Sequence, residues 1–415
     1  MRGGAGDDLR NASATAKSRT QSRPGKKSRG QTDREINVTQ AVIAGYARSP
    51  FTLATKGALA RTRPDDIAAG LIAGLVARMG IAASDLEAVI LGCAFPEGEQ
   101  GLNIARLVAL HAGLPQSVGG YTVNHFCGSS MQAIHIAAGH IATGSGEVFI
   151  AAGVESMSRV PMMGFNPLPN PALYEKLPAA YMGMGETAEN VAAKWNISRA
   201  EQEAFAVESQ RRAAAAIAAR HFKDEIIPVA TKAGKVEADG CPRPETSAEG
   251  LAGLKPAFSA DGSVTAGTSS PLTDGASAVL VCSEDYASKH GLKPLARIVA
   301  AATAGCAPEI MGIGPVAATK KVLARAGISV SDLDVVELNE AFASQSLACI
   351  RDLGLDPAKV NIDGGAIALG HPLGATGARI TGKAASLLNR VGGRYALATQ
   401  CIGGGQGIAT ILERV

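Results

Sequence analysis

The chain has 415 residues, of which 46% are hydrophobic and 19% are charged, and its formal net charge at pH 7 is +3. This length and apolar content predict a large globular protein of two or three domains, and no apolar run is long enough to predict a transmembrane helix. The seven cysteines have no regular spacing and include no Cys-x-x-Cys pair. That pattern disfavours a disulfide framework, a zinc site or an iron–sulfur site, and it favours a reducing compartment.

The first 36 residues differ in composition from the rest of the chain. They contain nine basic and four acidic side chains, so they carry a net charge of +5 and leave −2 for the remainder. A segment rich in Ser, Gly, Thr and Arg without apolar periodicity predicts a disordered basic tail at 1–36. It lacks the apolar core of a secretory signal, whereas an organellar transit peptide stays open as an alternative. The expected location is therefore the cytoplasm or an organellar matrix, and the body of the chain is not expected to bind nucleic acid.

From Thr39 onward, short apolar runs alternate with longer Ala-rich stretches. The runs predict buried strands at 42–46, 88–91, 148–152, 278–282, 298–302, 335–338 and 395–399. The longer stretches predict helices at 65–79, 130–142, 198–220, 316–326 and 377–388. This alternation predicts an α/β fold with mixed sheets.

An internal repeat relates the two ends of this body. A ten-residue segment at 80–89 recurs at 327–336, and a six-residue segment at 146–151 recurs with the same offset of 247. Two matches in one register predict two copies of one fold, packed about a pseudo-twofold axis. Cys127 lies 47 residues after the start of the first copy's segment, and His371 lies 44 after the second's. The repeat therefore predicts that these two residues lie near each other.

The repeat does not extend over the proline-rich residues 159–273, which predicts an inserted loop domain. The predicted first half comprises 37–158 and 274–293, and the predicted second half comprises 294–415.

Cys127 stands between a predicted strand end and a predicted helix start. A thiol at a helix N-terminus is expected to favour its thiolate, because the positive end of the helix dipole stabilises the anion. Such a thiol is a candidate nucleophile, although most free cysteines are only small buried hydrophobic residues. The other cysteines, apart from Cys401, lack comparable surroundings and are predicted to be structural.

Three further residues stand in segments that suit a catalytic site. His371 lies in a glycine-rich stretch ahead of a helix, where it could activate a thiol, although the glycines could also serve only to form tight turns. Cys401 precedes a glycine turn whose free amides could donate hydrogen bonds to an oxyanion. Asn339 follows a predicted strand, where it could line a site or simply cap the strand. Neither a dinucleotide fingerprint nor a P-loop is present, which disfavours nucleotide hydrolysis.

Together these segments resemble the thiolase family over nearly all of residues 38–415. The segments that carry the resemblance are 124–129, 153–158, 265–270, 274–276, 339–342, 364–374 and 401–405. The resemblance implies a five-layered αβαβα fold made of two βαβαβαββ halves, with the loop domain inserted in the first.

The resemblance also implies a reaction and a role for each site residue. Cys127 would attack the ketone carbon of a 3-ketoacyl-CoA, His371 would activate it, and Cys401 would protonate the acetyl-CoA enolate. Coenzyme A, as co-substrate, would then take the acyl group from Cys127, and no metal or other cofactor is implied. Asn339, through a water, would form one oxyanion hole with His371, and the amides of Cys127 and Gly403 would form another.

Substrate contacts are implied in the same way. Ser270 and Met184 would contact the pantetheine arm, while Met311 and Phe342 would line the acyl pocket. Biosynthetic thiolases tend to carry a histidine where this chain has Gly183. Its loss should admit longer acyl chains, so the resemblance favours a degradative 3-ketoacyl-CoA thiolase of fatty-acid β-oxidation.

Other functions stay open at this point. An acetyl-CoA C-acetyltransferase that forms acetoacetyl-CoA is the nearest alternative, and a thiolase-like protein that only binds acyl-CoA or lipid is another. A ketosynthase of the same fold would lack the second cysteine, and a redox sensor would need Cys127 and Cys401 to form a disulfide. The family further implies a homodimer or homotetramer, sometimes with a hydratase and dehydrogenase partner.

Overall fold

The computed structural model describes residues 39–415, so the predicted tail at 1–36 lies outside the described residues. The strands are β1 Ala41–Arg48, β2 Thr52–Leu53, β3 Ala88–Gly92, β4 Gly119–Val123, β5 Val148–Ser156, β6 Val229–Thr231, β7 Gly234–Val236, β8 Thr273–Ser283, β9 Ala296–Gly305, β10 Leu333–Leu338, β11 Tyr395–Ile402 and β12 Gln406–Glu413. The α-helices are α1 Pro64–Met79, α2 Ile104–His111, α3 Ser129–Ala142, α4 Pro171–Lys176, α5 Met184–Lys194, α6 Arg199–Ala218, α7 Ala248–Ala252, α8 Glu284–Lys289, α9 Gly314–Ala326, α10 Ala343–Leu353, α11 Ala366–Leu369 and α12 Leu373–Val391. The strands and helices predicted from the sequence are all present.

The large sheet runs β10-β11-β12-β9-β1-β8-β5-β3-β4, with β2 attached to β8. Strand β3 is parallel to β4 and β5, and β10 is parallel to β11, while the other pairs are antiparallel. Strands β1 and β9 join the two halves through only two residue pairs, Val42 with Arg297 and Ile43 with Ala296. The predicted mixed α/β fold is therefore confirmed.

The sequence repeat corresponds to a repeat in the structure. Gly80 and Gly327 end α1 and α9 with φ of 64° and 67°, a left-handed conformation that glycine adopts without strain. Strand register repeats as well, because Ala88 pairs with Phe149 and Val335 pairs with Ala396. Both members of the second pair lie 247 residues after those of the first. The two halves thus have equivalent strand pairing.

The two halves differ in the length of their third strand. The first half has β4 at this place, whereas the second has a single bridge between Val336 and Val360. The side chain of Asn361 replaces further pairing, since its Oδ1 accepts from Leu338 N at 2.9 Å and its Nδ2 donates to Leu338 O at 2.8 Å. The side-chain amide of Asn361 therefore makes the hydrogen bonds to the Leu338 N–H and C=O that a neighbouring strand's backbone would otherwise make.

Three apolar clusters give the five layers. One joins α1 and α2 to the outer face of the first half's strands, and another joins α9 and α10 to the outer face of the second half's strands. The third packs α3 and α12 between the two sets of strands. Helix α12 is buried over most of its length, as a helix between two sheets must be. The αβαβα layering expected from the resemblance is confirmed.

Residues 159–272 contribute α4 to α7 and the small β6–β7 sheet, but no strand of the large sheet. Residues 39–415 belong to one compact unit, so the predicted boundaries of the halves and of the loop domain stay predictions. Within these residues, no helix is both long enough and apolar enough to cross a bilayer.

Candidate active site

A tight turn after β4 positions Cys127 directly before α3. Phe126 has φ of 42°, which is strained for a residue with a side chain. Ser129 holds this turn, because its Oγ donates to Phe126 O at 2.6 Å and accepts from His125 N at 2.8 Å. The Cys127 side chain is buried, with 7% of its surface exposed. Backbone strain at a buried thiol is typical of a functional site.

Burial raises the pKa of Cys127 to about 12, although the backbone amides of Gly403 and Cys127 itself donate toward its sulfur and oppose that rise. The expectation that the helix terminus would yield a resting thiolate is therefore wrong, since desolvation outweighs the dipole. The same amides are the pair expected to form an oxyanion hole, and both point at the sulfur.

His371 is buried just before α12 and is held at both ring nitrogens. Its Nδ1 lies 2.6 Å from Thr376 Oγ1, which donates its own proton to Pro372 O at 3.0 Å. His371 must therefore donate from Nδ1, and its Nε2 carries the lone pair. Burial, followed by the charge of Arg379, lowers the pKa of His371 to about 3. The imidazole is thus neutral and able to accept a proton at Nε2.

Asn339 follows β10 and faces His371. Its Nδ2 lies 3.3 Å from His371 Nε2, and its buried Oδ1 has no hydrogen-bond partner among the described residues. A buried amide oxygen of this kind is free to accept a hydrogen bond from a small molecule. The sequence expectation that Asn339 and His371 act together therefore fits their geometry.

Cys401 lies near the end of β11 and is fully buried. Burial, and then the neighbouring Cys127, raises the pKa of Cys401 well above its ordinary value. The electrostatic interaction between the two thiols means that they lie near each other. Neither cysteine forms a disulfide bond within residues 39–415.

One cavity of about 440 Å³ brings the reactive groups together. Its lining includes Cys127, His371 and Cys401, together with the four predicted substrate contacts Ser270, Met184, Met311 and Phe342. Asn339 is not among the residues that line this cavity, although it contacts His371, which does.

A second cavity of about 460 Å³ also borders Cys127, but most of its lining residues differ from those of the first. The two share four lining residues, namely Cys127, Met162, Met184 and Leu373. The second is lined mainly by apolar side chains, which include Phe95, Phe126, Met163, Leu168, Tyr181 and Met182, and it is bordered by Gly403. Two cavities therefore meet at the Cys127 thiol.

Several supporting residues escaped the sequence reasoning. Thr376 fixes the His371 ring, and Gln400 donates from Nε2 to Cys127 O. Buried Glu155 accepts from Ala94 N and from Gly374 N, each at 2.8 Å, and so joins β5 to the start of α12. Thr376 follows His371 by five residues in the same glycine-rich stretch, which was the available signal. Glu155 lies in the segment 153–158, which carries the family resemblance and was the available signal. Gln400 lies within β11, where nothing in the sequence separates it from other core polar residues.

Among residues 39–415, no three His, Cys, Asp or Glu side chains are grouped as metal ligands.

Family comparisons agree with this geometry. The family model for the thiolase N-terminal domain matches residues 41–285, and the model for the thiolase C-terminal domain matches residues 292–414. The chain belongs to the thiolase family. This confirms the resemblance drawn from the motifs, and with it the prediction of an acyltransferase.

Individual thiolases match over nearly their whole length. A 3-ketoacyl-CoA thiolase of Bacillus subtilis is 47% identical over 387 residues, which cover 90% of this chain and 99% of the relative. A 3-oxoadipyl-CoA/3-oxo-5,6-dehydrosuberyl-CoA thiolase of Escherichia coli is 49% identical over 383 residues, covering 86% and 96%. The crystal structure of human mitochondrial 3-ketoacyl-CoA thiolase in complex with CoA matches with a TM-score of 0.84 and 39% identity, covering 91% of this chain and 98% of that one.

Proposed function

We propose that this thiolase catalyses CoA-dependent cleavage of 3-ketoacyl-CoA to acetyl-CoA and a shortened acyl-CoA. The observation that carries the proposal is the cavity that holds Cys127, His371 and Cys401 together, with two backbone amides directed at the Cys127 sulfur. Each group has the protonation state that its step requires, because the thiols are protonated and the imidazole is neutral. The names of the relatives agree with this activity.

The first half of the cycle breaks the C2–C3 bond of the substrate. His371 Nε2 takes the Cys127 proton while the sulfur attacks the C3 ketone, and the amides of Cys127 and Gly403 stabilise the resulting oxyanion. Collapse of this intermediate leaves the acyl group on Cys127 and releases an acetyl-CoA enolate. Cys401 gives its proton to the enolate carbon and becomes a thiolate.

The second half transfers the acyl group to coenzyme A. The Cys401 thiolate takes the proton of the incoming CoA thiol, which then attacks the acyl-Cys127 thioester. Departing Cys127 recovers its proton from His371, and both thiols return to their starting state. Asn339, through a water, and His371, once it has taken the Cys127 proton at Nε2, are the donors for the enolate oxygen. Losing one such donor typically costs about 10²- to 10³-fold in rate.

The second cavity supports an extended alkyl chain as the acyl group. A 3-ketoacyl-CoA has two arms that diverge from the ketone, and two cavities diverge from Cys127. The first contains polar Ser269 and Ser270, which suit the pantetheine arm. Met311 and Phe342, which the resemblance placed in the acyl pocket, also line this first cavity, so the proposal departs from the resemblance in placing the alkyl chain in the second cavity. The second has no Lys, Arg or His in its described lining and contains only Glu97 as a charged residue. A dicarboxylic chain, such as the one named for the Escherichia coli relative, would meet no cation there.

Parallel thiolysis assays test the activity and the chain length. Wild-type enzyme should cleave a long-chain 3-ketoacyl-CoA faster than acetoacetyl-CoA or 3-oxoadipyl-CoA, and Cys127→Ala should abolish all three reactions. Preference for acetoacetyl-CoA would instead assign an acetyl-CoA C-acetyltransferase, and preference for 3-oxoadipyl-CoA would refute the alkyl assignment. Binding of acyl-CoA without turnover would favour the non-catalytic alternative.

The proposed assembly is a homodimer or homotetramer in a reducing compartment, either the cytoplasm or an organellar matrix. Strand β4 ends the large sheet and, among the described residues, pairs only with β3. Beside it Leu102, Leu107 and Leu110 are exposed. An open edge with nearby apolar side chains is suited to a second copy. The unpaired cysteines support the reducing compartment, while a hydratase or dehydrogenase partner stays a prediction from the family.

A further inference from the structure

Two adjacent elements carry the donors for the enolate oxygen. His371 lies just before α12, and Asn339 directly follows β10. The strand continues its pairing at Asn339, whose N donates to Thr399 O at 3.0 Å. Because side chains alternate along a strand, Glu337 and Asn339 point to the same face, which is the face toward α12. The separation of His371 and Asn339 therefore depends on how α12 lies against β10.

A buried ion pair joins these two elements behind the site. Arg379 lies on α12, eight residues after His371, and its Nη1 donates to Glu337 Oε2 at 2.9 Å. The two side chains are 2% and 0% exposed. Glu337 lies two residues before Asn339, so the pair acts close to the contact between Asn339 and His371.

The hydrogen bonding of this ion pair is incomplete, so the pair is not expected to add much to the free energy of unfolding. Within the described part of the chain, Nε and Nη2 of Arg379 and Oε1 of Glu337 are buried without hydrogen-bond partners. Desolvating two charges costs several kcal/mol per ion in typical proteins, and only a fully hydrogen-bonded pair recovers that cost. The pair is therefore better explained by what it positions than by the free energy of unfolding.

We propose that Arg379 and Glu337 are positioning residues for the oxyanion hole formed by Asn339 and His371. The inference rests on the proposed function. The ion pair fixes α12 against β10 and so holds Asn339 Nδ2 and His371 Nε2 at the spacing that the enolate oxygen and the bridging water require. Arg379 does not touch the reacting atoms.

Cleavage of the C2–C3 bond depends on the spacing of Asn339 and His371, whereas transfer of the acyl group to CoA depends on it less. Exchange of the acetyl-CoA methyl protons with D₂O requires the enolate: in the acyl-enzyme, the Cys401 thiolate removes a methyl proton and returns a deuteron from solvent. Exchange of the acyl group between acyl-CoA and labelled CoA forms no enolate and relies on Cys127, His371 and the two amides, but not on Asn339. A shifted α12 should therefore slow methyl exchange more than acyl exchange.

The test replaces the whole ion pair in Arg379→Met/Glu337→Leu, so that neither charge is left buried alone. Thermal unfolding should occur at the wild-type temperature or above, because apolar replacement of a buried pair is often neutral or stabilising. Methyl exchange should fall about 10- to 100-fold, as expected for a displacement of about 1 Å, while acyl exchange changes by less than about threefold. A merely structural pair would leave the ratio of the two rates unchanged.

Lys383→Met is the matched control. Lys383 lies one turn further along α12 and is also buried, paired with Glu225 at 3.1 Å and Asp363 at 2.7 Å. Its loss should lower stability yet keep the wild-type ratio of methyl to acyl exchange. An unchanged ratio in the Arg379/Glu337 variant, or the same change in Lys383→Met, would overturn the inference. Wild-type enzyme that catalyses neither exchange would overturn the proposed function itself.

Discussion

Desolvation sets the protonation of both reactive side chains in the resting site. Sequence reasoning located Cys127 and His371 from their neighbours, but it assigned a thiolate where the fold buries a thiol. A helix terminus contributes a fraction of a charge, whereas complete burial can shift a pKa by several units. Burial is a property of the packed fold, so a local sequence could not reveal which effect is larger.

The pKa shifts predict how acylation depends on pH. His371, with a pKa of about 3, stays neutral as pH falls toward 6, and Cys127, with a pKa of about 12, stays protonated as pH rises toward 9. Single-turnover acylation of Cys127 by acyl-CoA, followed by mass spectrometry, should therefore be independent of pH from about 6 to about 9. Omitting free CoA removes its own thiol ionisation from the profile.

A fall in acylation with a midpoint near the ordinary histidine pKa of about 6.5 would contradict this prediction, because it would mean that His371 titrates freely. The variant Cys127→Ala has no nucleophile at this position and should give no acyl-enzyme at any pH, so it serves as the control for labelling elsewhere.

Among the helices and strands, most of what could be predicted followed from the sequence repeat. The register shared by the β3–β5 and β10–β11 pairs follows from matching segments at one offset. Where the halves differ, the sequence contains no repeated segment, because β4 and the residues around the Val360 bridge share no sequence pattern. The replacement of a strand by Asn361 depends on one side chain bonding to Leu338 across 23 residues, which local periodicity cannot encode.

The residue before helix α5 offers a test of acyl-chain length. Gly183 precedes α5 and lines the first cavity, and a Cβ built there would meet nothing nearer than Glu186 at 3.8 Å. Its φ of −62° suits any residue. The variant Gly183→His should therefore fold normally. Its ring would lie beside Met184, which lines both cavities, and would narrow the passage from Cys127 to the second cavity, where the acyl chain is proposed to lie. The variant should lower the ratio of long-chain to acetoacetyl-CoA kcat/KM about tenfold, as steric differences in pockets typically do.

The matched control is Gly183→Ala, which adds only a methyl group in open space and should keep the wild-type ratio. If Gly183→His turned over both substrates in the wild-type ratio, the lost histidine would not explain chain-length preference.

At the scale of the whole molecule, strand β4 leaves an edge of the large sheet that no strand of the described residues covers. Leu102 is 90% exposed, and both it and Asn103 have left-handed backbones, with φ of 55° and 53°. Two successive strained residues that display an apolar side chain are costly in an isolated chain. The Asn103 side chain bonds to Gly120 O at 3.0 Å, so this strained turn is fastened to β4. The arrangement is explained if a second copy packs on Leu102 and β4.

Leu102→Asp tests this assembly without disturbing the fold. Aspartate tolerates a left-handed backbone better than leucine, so the monomer should be at least as stable as wild type. A buried charge in an interface typically costs several kcal/mol, so the dimer dissociation constant should rise about 100-fold. Sedimentation velocity at micromolar concentration should show dimers or tetramers for wild type and smaller species for the variant.

Ile217→Asp, which alters an apolar side chain on α6 that is 45% exposed, should leave assembly unchanged. A monomeric wild type, or a Leu102→Asp variant that still assembles, would exclude this edge as the interface, and the strain at Leu102 would then need another cause.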